Sequence, residues 1–407
     1  MRTPVTVLLT WSMKTLYPAV FLKPREERRL NAGHSWIFSN EIRDSLKSYT
    51  PGELVTVFSA QNQYLGVGYI NPHSLIAVRL LTRTQTEINP GFIDHRINAA
   101  LNLRERMFPD SRVYRLIFGE SDGLPGIVVD RYDDICVIQS NTAGADQLIP
   151  WILDAIEKLV SPRGILIRRD STSRDLESIS RITHEVRGEV LETHTVVLHH
   201  LPMSFPVHTG QKTGLFLDQQ DNYSRLSRYI QPGARVFDGF CYVGGWGLHA
   251  LKYGADSVAF ADTSGQALGY VEQNVSANRF SGKADLVQND VRKALHSAIS
   301  SGHEYDLVII DPPAFIKSKK HLRNGIRAYE ELNNLAMQIL KPGGILVSCS
   351  CSYHLGSGEF LRIIARAASK TAREIKLLEL CGQSRDHPVL PAMPETSYLK
   401  VGFLQIN

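Results

Sequence analysis

An open, mostly parallel β-sheet with helices on both faces, led by a small β-barrel and a short α/β segment, is the fold class that this 407-residue sequence predicts. Three observations predict it. From about residue 200 onward, β-branched strands alternate with helical segments, the pattern of a parallel sheet whose crossovers cover both faces. Residues 14–87 show short apolar runs broken by Gly and Pro, the pattern of a compact all-β module. Residues 88–195 mix helix and strand signals in a stretch too short for a doubly wound sheet of its own. Three domains follow, at 14–87, 88–195 and 196–407.

In the first module, Leu54-Val55-Thr56-Val57-Phe58 and Ile76-Ala77-Val78-Arg79-Leu80-Leu81 read as strands. Pro51-Gly52, Gly66-Val67-Gly68 and Asn71-Pro72 punctuate them. In the middle segment, Phe92, Ile93, Ile97, Ala100, Leu101 and Met107 recur at helical spacing, and Pro109 ends that helix. A strand, a Gly-Leu-Pro-Gly turn, a strand at Ile127-Val128-Val129, a helix near Leu148–Leu159 and a strand at Ile165-Leu166-Ile167 complete it. The last domain offers strands at Val236–Cys241, Val258–Asp262, Leu286–Asp290, Leu307–Asp311 and Ile345–Ser350. Ligands of such sheets bind beyond the carboxyl ends of the strands.

Composition narrows the class. Hydrophobic residues make up 43% and charged residues 21%, as in a globular protein. No apolar run approaches the roughly 18 residues that a membrane span needs, so no membrane partner is expected. Met1 to Met13 carries Arg2 and a short apolar stretch without a small-residue cleavage site, so it is not read as a signal peptide, and Met13 is an alternative start. The five cysteines (Cys136, Cys241, Cys349, Cys351, Cys381) are odd in number, scattered and without a C-x-x-C pair. That argues for reduced thiols, a cytoplasmic location and no structural metal. Residues 1–90 hold ten Lys and Arg against six Asp and Glu, and residues 91–195 hold thirteen against seventeen. The remainder holds 22 against 18. A polyanionic partner would be held by the two ends, although ordinary surface charge gives the same count.

The strand ends carry the chemistry. Asp238 leads into Gly239-Phe240-Cys241-Tyr242-Val243-Gly244-Gly245-Trp246-Gly247, a glycine-rich turn that lets a ligand approach the backbone and that fits G-x-G-x-x-G poorly. Asp262 ends the next strand, eighteen residues after Gly244, where a carboxylate can accept both ribose hydroxyls of an adenosine. Asn289-Asp290 ends the third, where a carboxylate can accept from an adenine amino group. Each aspartate alone is more often a helix N-cap. In register they favour an adenosine cofactor without bound phosphate, and a sulfonium cation suits the carboxylates.

The fourth strand ends in Asp311-Pro312-Pro313-Ala314-Phe315. The prolines stiffen the turn and aim Asp311 into the cleft, and Phe315 can stack on an extruded base. The fifth ends in Ser348-Cys349-Ser350-Cys351-Ser352, where the two cysteines share a face. Beside a base pocket, such a thiol becomes a candidate nucleophile. Addition of a thiolate at carbon 6 of cytosine makes carbon 5 nucleophilic, whereas methylation of an exocyclic amine needs no thiol. Lys317, Lys319, Lys320, Arg323 and Arg327 suit a phosphate-lined entrance and would favour the thiolate, or else form a solvated helix start. Lys23, Arg25, Arg28 and Arg29 on the first module suit RNA phosphate, while Trp36 reads as barrel core.

These residues resemble the bacterial large-subunit (23S) rRNA cytosine-C5 methyltransferases of the RlmI type, over nearly the whole chain from about Lys14. His34-Ser35-Trp36-Ile37-Phe38-Ser39 resembles the start of a PUA domain, an RNA-binding β-barrel. Gly119-Glu120-Ser121-Asp122-Gly123-Leu124-Pro125-Gly126 matches a hallmark turn, whose Gly and Pro spacing favours architecture over RNA contact. Gln211-Lys212-Thr213-Gly214 and Leu217-Asp218-Gln219 match the segment entering the catalytic domain. Tyr242-Val243-Gly244-Gly245, Asp262-Thr263-Ser264, Asp311-Pro312-Pro313, Ser350-Cys351-Ser352, Asp386-His387-Pro388 and Tyr398-Leu399-Lys400 match further motifs.

The resemblance implies a class I methyltransferase domain with a mostly parallel, Rossmann-like sheet of seven strands. It implies S-adenosylmethionine as cofactor and RNA, free or in an assembling particle, as partner, and it leaves room for a homodimer. It makes Cys351 rather than Cys349 the nucleophile and has Asp311 hold the cytosine. The family usually has Lys where Ala314 stands and Arg where Gln220 stands, so base or phosphate contact differs there. The alternatives are methylation of a purine, or an RNA-binding assembly factor without catalysis.

Overall fold

The computed structural model describes residues 15–407, so the alternative starts at Met1 and Met13 and the cations Arg2 and Lys14 lie outside the described residues. The first sheet contains β1 (Ala19–Phe21), β2 (Trp36–Phe38), β3 (Glu53–Phe58), β4 (Tyr64–Ile70) and β5 (Ile76–Thr82), in the order β1-β3-β4-β5-β2. Only the β1/β3 pair is parallel. Val20, Leu22, Ile37, Val55, Val57, Ile70 and Val78 fill its core. Gly68 is there for close approach, since a Cβ on it would sit 2.3 Å from the Arg79 carbonyl oxygen. Trp36 departs from expectation. It is half-buried rather than core, because its indole nitrogen donates to Glu120 at 2.8 Å and Arg79 lies over its ring.

The second sheet is β6 (Val113–Phe118), β7 (Ile127–Tyr132), β8 (Ile135–Ser140), β9 (Gly164–Arg169) and β10 (Ile182–Gly188), in the order β10-β9-β8-β7-β6. Helices Pro90–Met107 and Ala143–Val160 bury their apolar stripes against it. Each begins at a side-chain cap: Asn89 accepts from Phe92 N, and Thr142 from Ala145 N. The Asp-Gly-Leu-Pro-Gly turn between β6 and β7 is architectural. Asp122 accepts from buried Arg104 at 2.5 and 2.8 Å and from Phe118 N at 2.6 Å. Arg104 also donates to the Asp386 carbonyl, and Tyr69 of β4 donates to the Pro125 carbonyl. One turn therefore holds the first sheet, the second sheet and the C-terminal segment together. Gly126 has φ +72°, and a Cβ there would meet Thr142 Oγ1 at 2.4 Å.

A hairpin of β11 (Thr193–Leu198) and β12 (Leu201–Pro206) precedes the third sheet. That sheet contains β13 (Arg235–Gly239), β14 (Ser257–Asp262), β15 (Ala284–Gln288), β16 (Tyr305–Ile310), β17 (Leu340–Ser350), β18 (Ile375–Cys381) and β19 (Lys400–Ile406). Its order is β15-β14-β13-β16-β17-β19-β18, parallel through β17 and antiparallel at β19 and β18. The strand order reverses beside β13, which opens a crevice at the carboxyl ends of β13, β14 and β16. Among the described residues, no helix is long and apolar enough to cross a membrane.

Half-buried His199 packs against His249, a buried residue of the helix Gly245–Lys252. His199 Nδ1 lies 3.2 Å from His249 Nε2, and His249 Nδ1 lies 2.6 Å from the Gly245 carbonyl. Burial, followed by the charge of Lys252, lowers His199 from 6.5 to about 4. Burial, followed by His199, lowers His249 from 6.5 to about 3. Between these values the unfolded chain binds more protons than the folded one, so acid favours unfolding. This contribution to stability is complete above pH 6.5 and declines as pH falls toward the folded values. In thermal melts from pH 7.5 to 4.5, Tm is expected to fall, with a shallower pH slope in His249→Gln. An unchanged slope in the variant counts against the pair as an acid-sensitive element.

Candidate functional site

A cavity of about 510 Å³ occupies the crevice. Its walls come from the turn after β13 (Phe240 to Val243, Gly245, Trp246), the end of β14 (Asp262, Thr263) and the Asp311-Pro312-Pro313-Ala314 turn after β16. Cys351 beyond β17 and the Gln211–Gln219 segment complete it. The turn after β13 is strained. Phe240 and Tyr242 adopt left-handed φ of 65° and 51°, and Gly244, φ 91°, caps the helix Gly245–Lys252. Non-glycine residues in this region persist only where the surroundings hold them, as at ligand clamps.

Asp262 and Asp311 reach the cavity wall, and Asp238 lies buried behind it. Asp238 is wholly buried; one oxygen accepts from Gly247 N at 2.8 Å and, among the described residues, the other has no partner. Burial, with Asp311 and Asp262 adding to it, raises its pKa to about 8 against the pull of the Gly247 hydrogen bond. Asp262 accepts from Tyr242 N at 3.0 Å and Ser264 N at 2.9 Å, which fixes its carboxylate at the cavity edge. Asp311 accepts from Trp246 Nε1 at 3.0 Å and Gln219 Nε2 at 2.9 Å, both on Oδ2. Burial raises it to about 6, against the Trp246 bond and with Asp218 adding to the rise.

The thiol is held with care. Tyr329 Oη bridges Ser350 and Ser352, each at 3.0 Å, and Ile316 N donates to Ser352 Oγ. Lys400 Nζ donates to the carbonyls of Ser352 and Tyr398, both at 2.7 Å. These bonds fix the loop so that Cys351 Sγ lies on the cavity wall, 3.9 Å from the Pro312 carbonyl. Cys349, opposite Val401 in the β17/β19 ladder, is fully buried and does not line the cavity. Alternation does place both cysteines on one side, but only the one past the strand end emerges. Burial pushes the Cys351 thiol up to about 11, and the cation that counters this is Lys212.

Lys212 pairs with Asp218 at 3.1 Å and lies over the Phe216 and Tyr398 rings. Asp218 also accepts from Tyr398 Oη at 2.6 Å, and despite its burial Lys212 and His387 hold its carboxyl well below the usual range. Thr213 donates to Asp130 and is buried, so it anchors the segment rather than facing the cavity.

Other sequence-based candidates lie elsewhere. Gly239 and Gly244 are packed behind the turn. Asp290 caps the helix Val291–Ser300, accepting from Arg292 N and Lys293 N, and is not part of the cavity wall. Phe315 turns its ring against Tyr329 at 4.8 Å instead of into the cavity, because Ile316 N is tied to Ser352. Lys317 and Lys320 are exposed beyond the cavity mouth, and the Lys319 side chain lies outside the described set. The expected electrostatic help for the thiol comes from Lys212 instead. In the first module, Arg25 and Arg28 are exposed, Lys23 donates to the Asn40 carbonyl, and Arg29 is engaged by Glu41 at 2.9 Å. Gln220, standing where the family usually has Arg, is buried and donates to Asp386. Trp246 and Gln219, which orient Asp311, escaped a role in the sequence reading. Their only signal was adjacency to Gly245 and Asp218.

The donor set fits S-adenosylmethionine. Among the described residues the buried Tyr242 hydroxyl on the cavity wall has no partner, and the carboxyls of Asp311 on the wall and Asp238 behind it, raised by burial and by neighbouring carboxylates, favour a cation. Cofactor binding should therefore depend on pH. A cation binds better when Asp311 and Asp238 are ionised, so affinity should fall as pH drops from about 8 to below about 6. The expected loss is about tenfold for each pKa unit by which the ligand lowers a carboxyl. Calorimetry in buffers of different ionisation enthalpy should show proton release on binding. Affinity that stays flat across this window removes the carboxyl coupling.

Comparison with known proteins agrees with this geometry. Residues 20–83 match a PUA-like domain model and residues 177–402 an S-adenosylmethionine-dependent methyltransferase model. The chain is 36% identical over 385 residues to "Ribosomal RNA large subunit methyltransferase I" of Pseudoalteromonas atlantica, covering 94% of this chain and 97% of that one. It is 37% identical over 389 residues to the protein of that name from Photobacterium profundum, covering 94% and 98%. In fold it is similar to a SAM-dependent methyltransferase structure from Streptococcus mutans, with TM-score 0.81 and 20% identity, over 95% of this chain and 100% of that one. A methyltransferase structure complexed with SAH gives TM-score 0.82 and 19% identity at the same coverage. With the carboxylate-lined crevice in place and relatives more than one-third identical along almost their whole length, the chain belongs to the ribosomal RNA large subunit methyltransferase I family of S-adenosylmethionine-dependent methyltransferases.

Proposed function

We propose that the protein methylates carbon 5 of a cytosine in large-subunit ribosomal RNA, with Cys351 as the covalent nucleophile. The observation that carries this reading is the placement of one half-buried thiol, Cys351, in the same cavity as Asp262 and Asp311. An amine methyltransferase has no use for a sulfur there. Phe240, Cys241 and Asp262 form the cofactor end, supported from behind by Asp238, Gly239 and Gly244. Bound there, the cofactor supplies the electrophilic sulfonium methyl that carbon 5 accepts.

The protein's own groups divide the remaining work. The Cys351 thiol rests protonated, because burial outweighs Lys212. Once its proton has passed to solvent, the thiolate sulfur adds to carbon 6 of the flipped base, and the electrons of the C5–C6 double bond make carbon 5 nucleophilic. Asp311, with a pKa of about 6, retains a fraction of its proton near neutrality and can share it with the N3 edge as charge builds on the ring. Pro312 and Pro313 keep the turn stiff, so that Asp311 is already oriented by Trp246 and Gln219 before the base arrives. Once carbon 5 is methylated, passage of its proton to solvent restores the C5–C6 double bond and expels the thiolate from carbon 6.

Nucleoside mass spectrometry of large-subunit rRNA from a strain lacking the protein tests the reading. One 5-methylcytidine should disappear and return with the wild-type protein. Loss of a methylated purine instead, with cytidine methylation intact, overturns the pyrimidine assignment.

A further inference from the structure

A second cavity, of about 300 Å³, lies where the three sheets meet. Three aromatic side chains reach it from three directions: Trp36 from β2, Phe118 from the end of β6, and Tyr398 from just before β19. Its polar groups are mostly acceptors. Glu120 uses one oxygen, Oε1, for Trp36 Nε1 at 2.8 Å and Arg79 at 2.9 Å. Among the described residues nothing donates to its Oε2. Among the described residues Glu395 Oε2 is buried without a hydrogen bond, 3.3 Å from His34 Nε2. Asn141 accepts from Ser173 through its carbonyl, and among the described residues its amide nitrogen donates to nothing. Of these atoms Glu395 Oε2 is the buried one, and a buried polar atom without a hydrogen bond is rare in packed interiors; the other two keep open valences toward the cavity.

We propose that this cavity binds a second nucleobase of the RNA, a guanine, beside the one that enters the catalytic cavity. The chemistry selects the base. Aromatic faces stack on any base, but a carboxylate with a free oxygen matches the two adjacent donors of guanine, N1–H and the 2-amino group. The volume accommodates one nucleoside and no more than that. The location connects it to catalysis, because Tyr398 lines this cavity while its hydroxyl donates to Asp218, which pairs with Lys212 on the wall of the catalytic cavity. A base lodged against Tyr398 therefore braces the cation that faces Cys351. This inference rests on the RNA reading above and adds a recognition site to it.

The test is a titration of the full-length protein, saturated with S-adenosylhomocysteine, with guanosine 5′-monophosphate, followed through the indole N–H signals. The Trp36 signal is assigned by its loss in Trp36→Phe, and Trp246 reports the catalytic cavity independently. A saturable shift of Trp36, weaker with the adenosine, cytidine and uridine monophosphates, is expected. Glu395→Gln together with Asn141→Ala should weaken it about tenfold while leaving cofactor affinity unchanged. No Trp36 shift, an equal response to all four nucleotides, or a shift confined to Trp246 overturns the proposal. Cofactor binding measured on the same sample separates this failure from failure of the methyltransferase reading.

Discussion

Replacement of Cys351 by alanine is expected to abolish methyl transfer, by about 10⁴-fold or more in kcat, while S-adenosylmethionine affinity stays within about twofold. The size follows from chemistry. Carbon 5 of cytosine is not nucleophilic until sulfur has added at carbon 6, so no partial route remains once the thiol is gone. The spared cofactor affinity follows from geometry, since the groups that hold the cofactor end come from β13 and β14 and Cys351 follows β17. Cys349→Ala supplies the contrast. That side chain is fully buried against the β19 neighbour Val401, so its loss should cost about 1 kcal/mol of stability and leave turnover intact. Single-turnover methylation of rRNA by each variant, alongside calorimetric cofactor binding, checks both. Full activity in Cys351→Ala, or its loss in Cys349→Ala with the fold intact, removes the assigned nucleophile.

Asp311→Asn should lower kcat by about 10²- to 10³-fold. The amide keeps the shape and can still accept from Trp246 and Gln219, so folding should be preserved. What it loses is a titratable group poised near 6. The pH profile then distinguishes a chemical role from a packing role. Wild-type kcat should rise up to about pH 6 and then stay level, because loss of the Asp311 proton and gain of thiolate offset each other until the thiol itself titrates near 11. In Asp311→Asn only the rising thiol limb should remain. A variant with a proportionally reduced but otherwise identical profile would reduce Asp311 to a positioning residue.

Much of this arrangement was legible in the residues. The glycine-rich turn after Asp238, Asp262 at the next strand end and the Asp-Pro-Pro turn all lie at the carboxyl ends of their strands, because alternating β and α segments leave a parallel sheet little topological choice. The antiparallel β18 and β19 went unread as strands. Leu377, Leu378 and Leu380 are exposed on the sheet edge, so β18 lacks the alternation that burial on one face imposes. Phe315 was assigned to the base by proximity along the chain, yet a hydrogen bond from Ile316 N to Ser352 turns its ring toward Tyr329. Arg29 counted as a free cation until Glu41, twelve residues away, was folded against it.

The sequence alone determined the class of chemistry: which strand ends carry carboxylates, which turn is rigid, and that a thiol stands near them. Those are local properties, set by backbone preference and by the period of side chains along a strand. Only the tertiary structure decided which of the two cysteines emerges, that Lys212 rather than the lysines after Phe315 faces it, and that Trp36, Phe118 and Tyr398 enclose a second cavity. Each of these depends on groups far apart in the chain meeting in space. Burial and partners set the charge and reach of a side chain, and neither is written in its neighbours along the sequence.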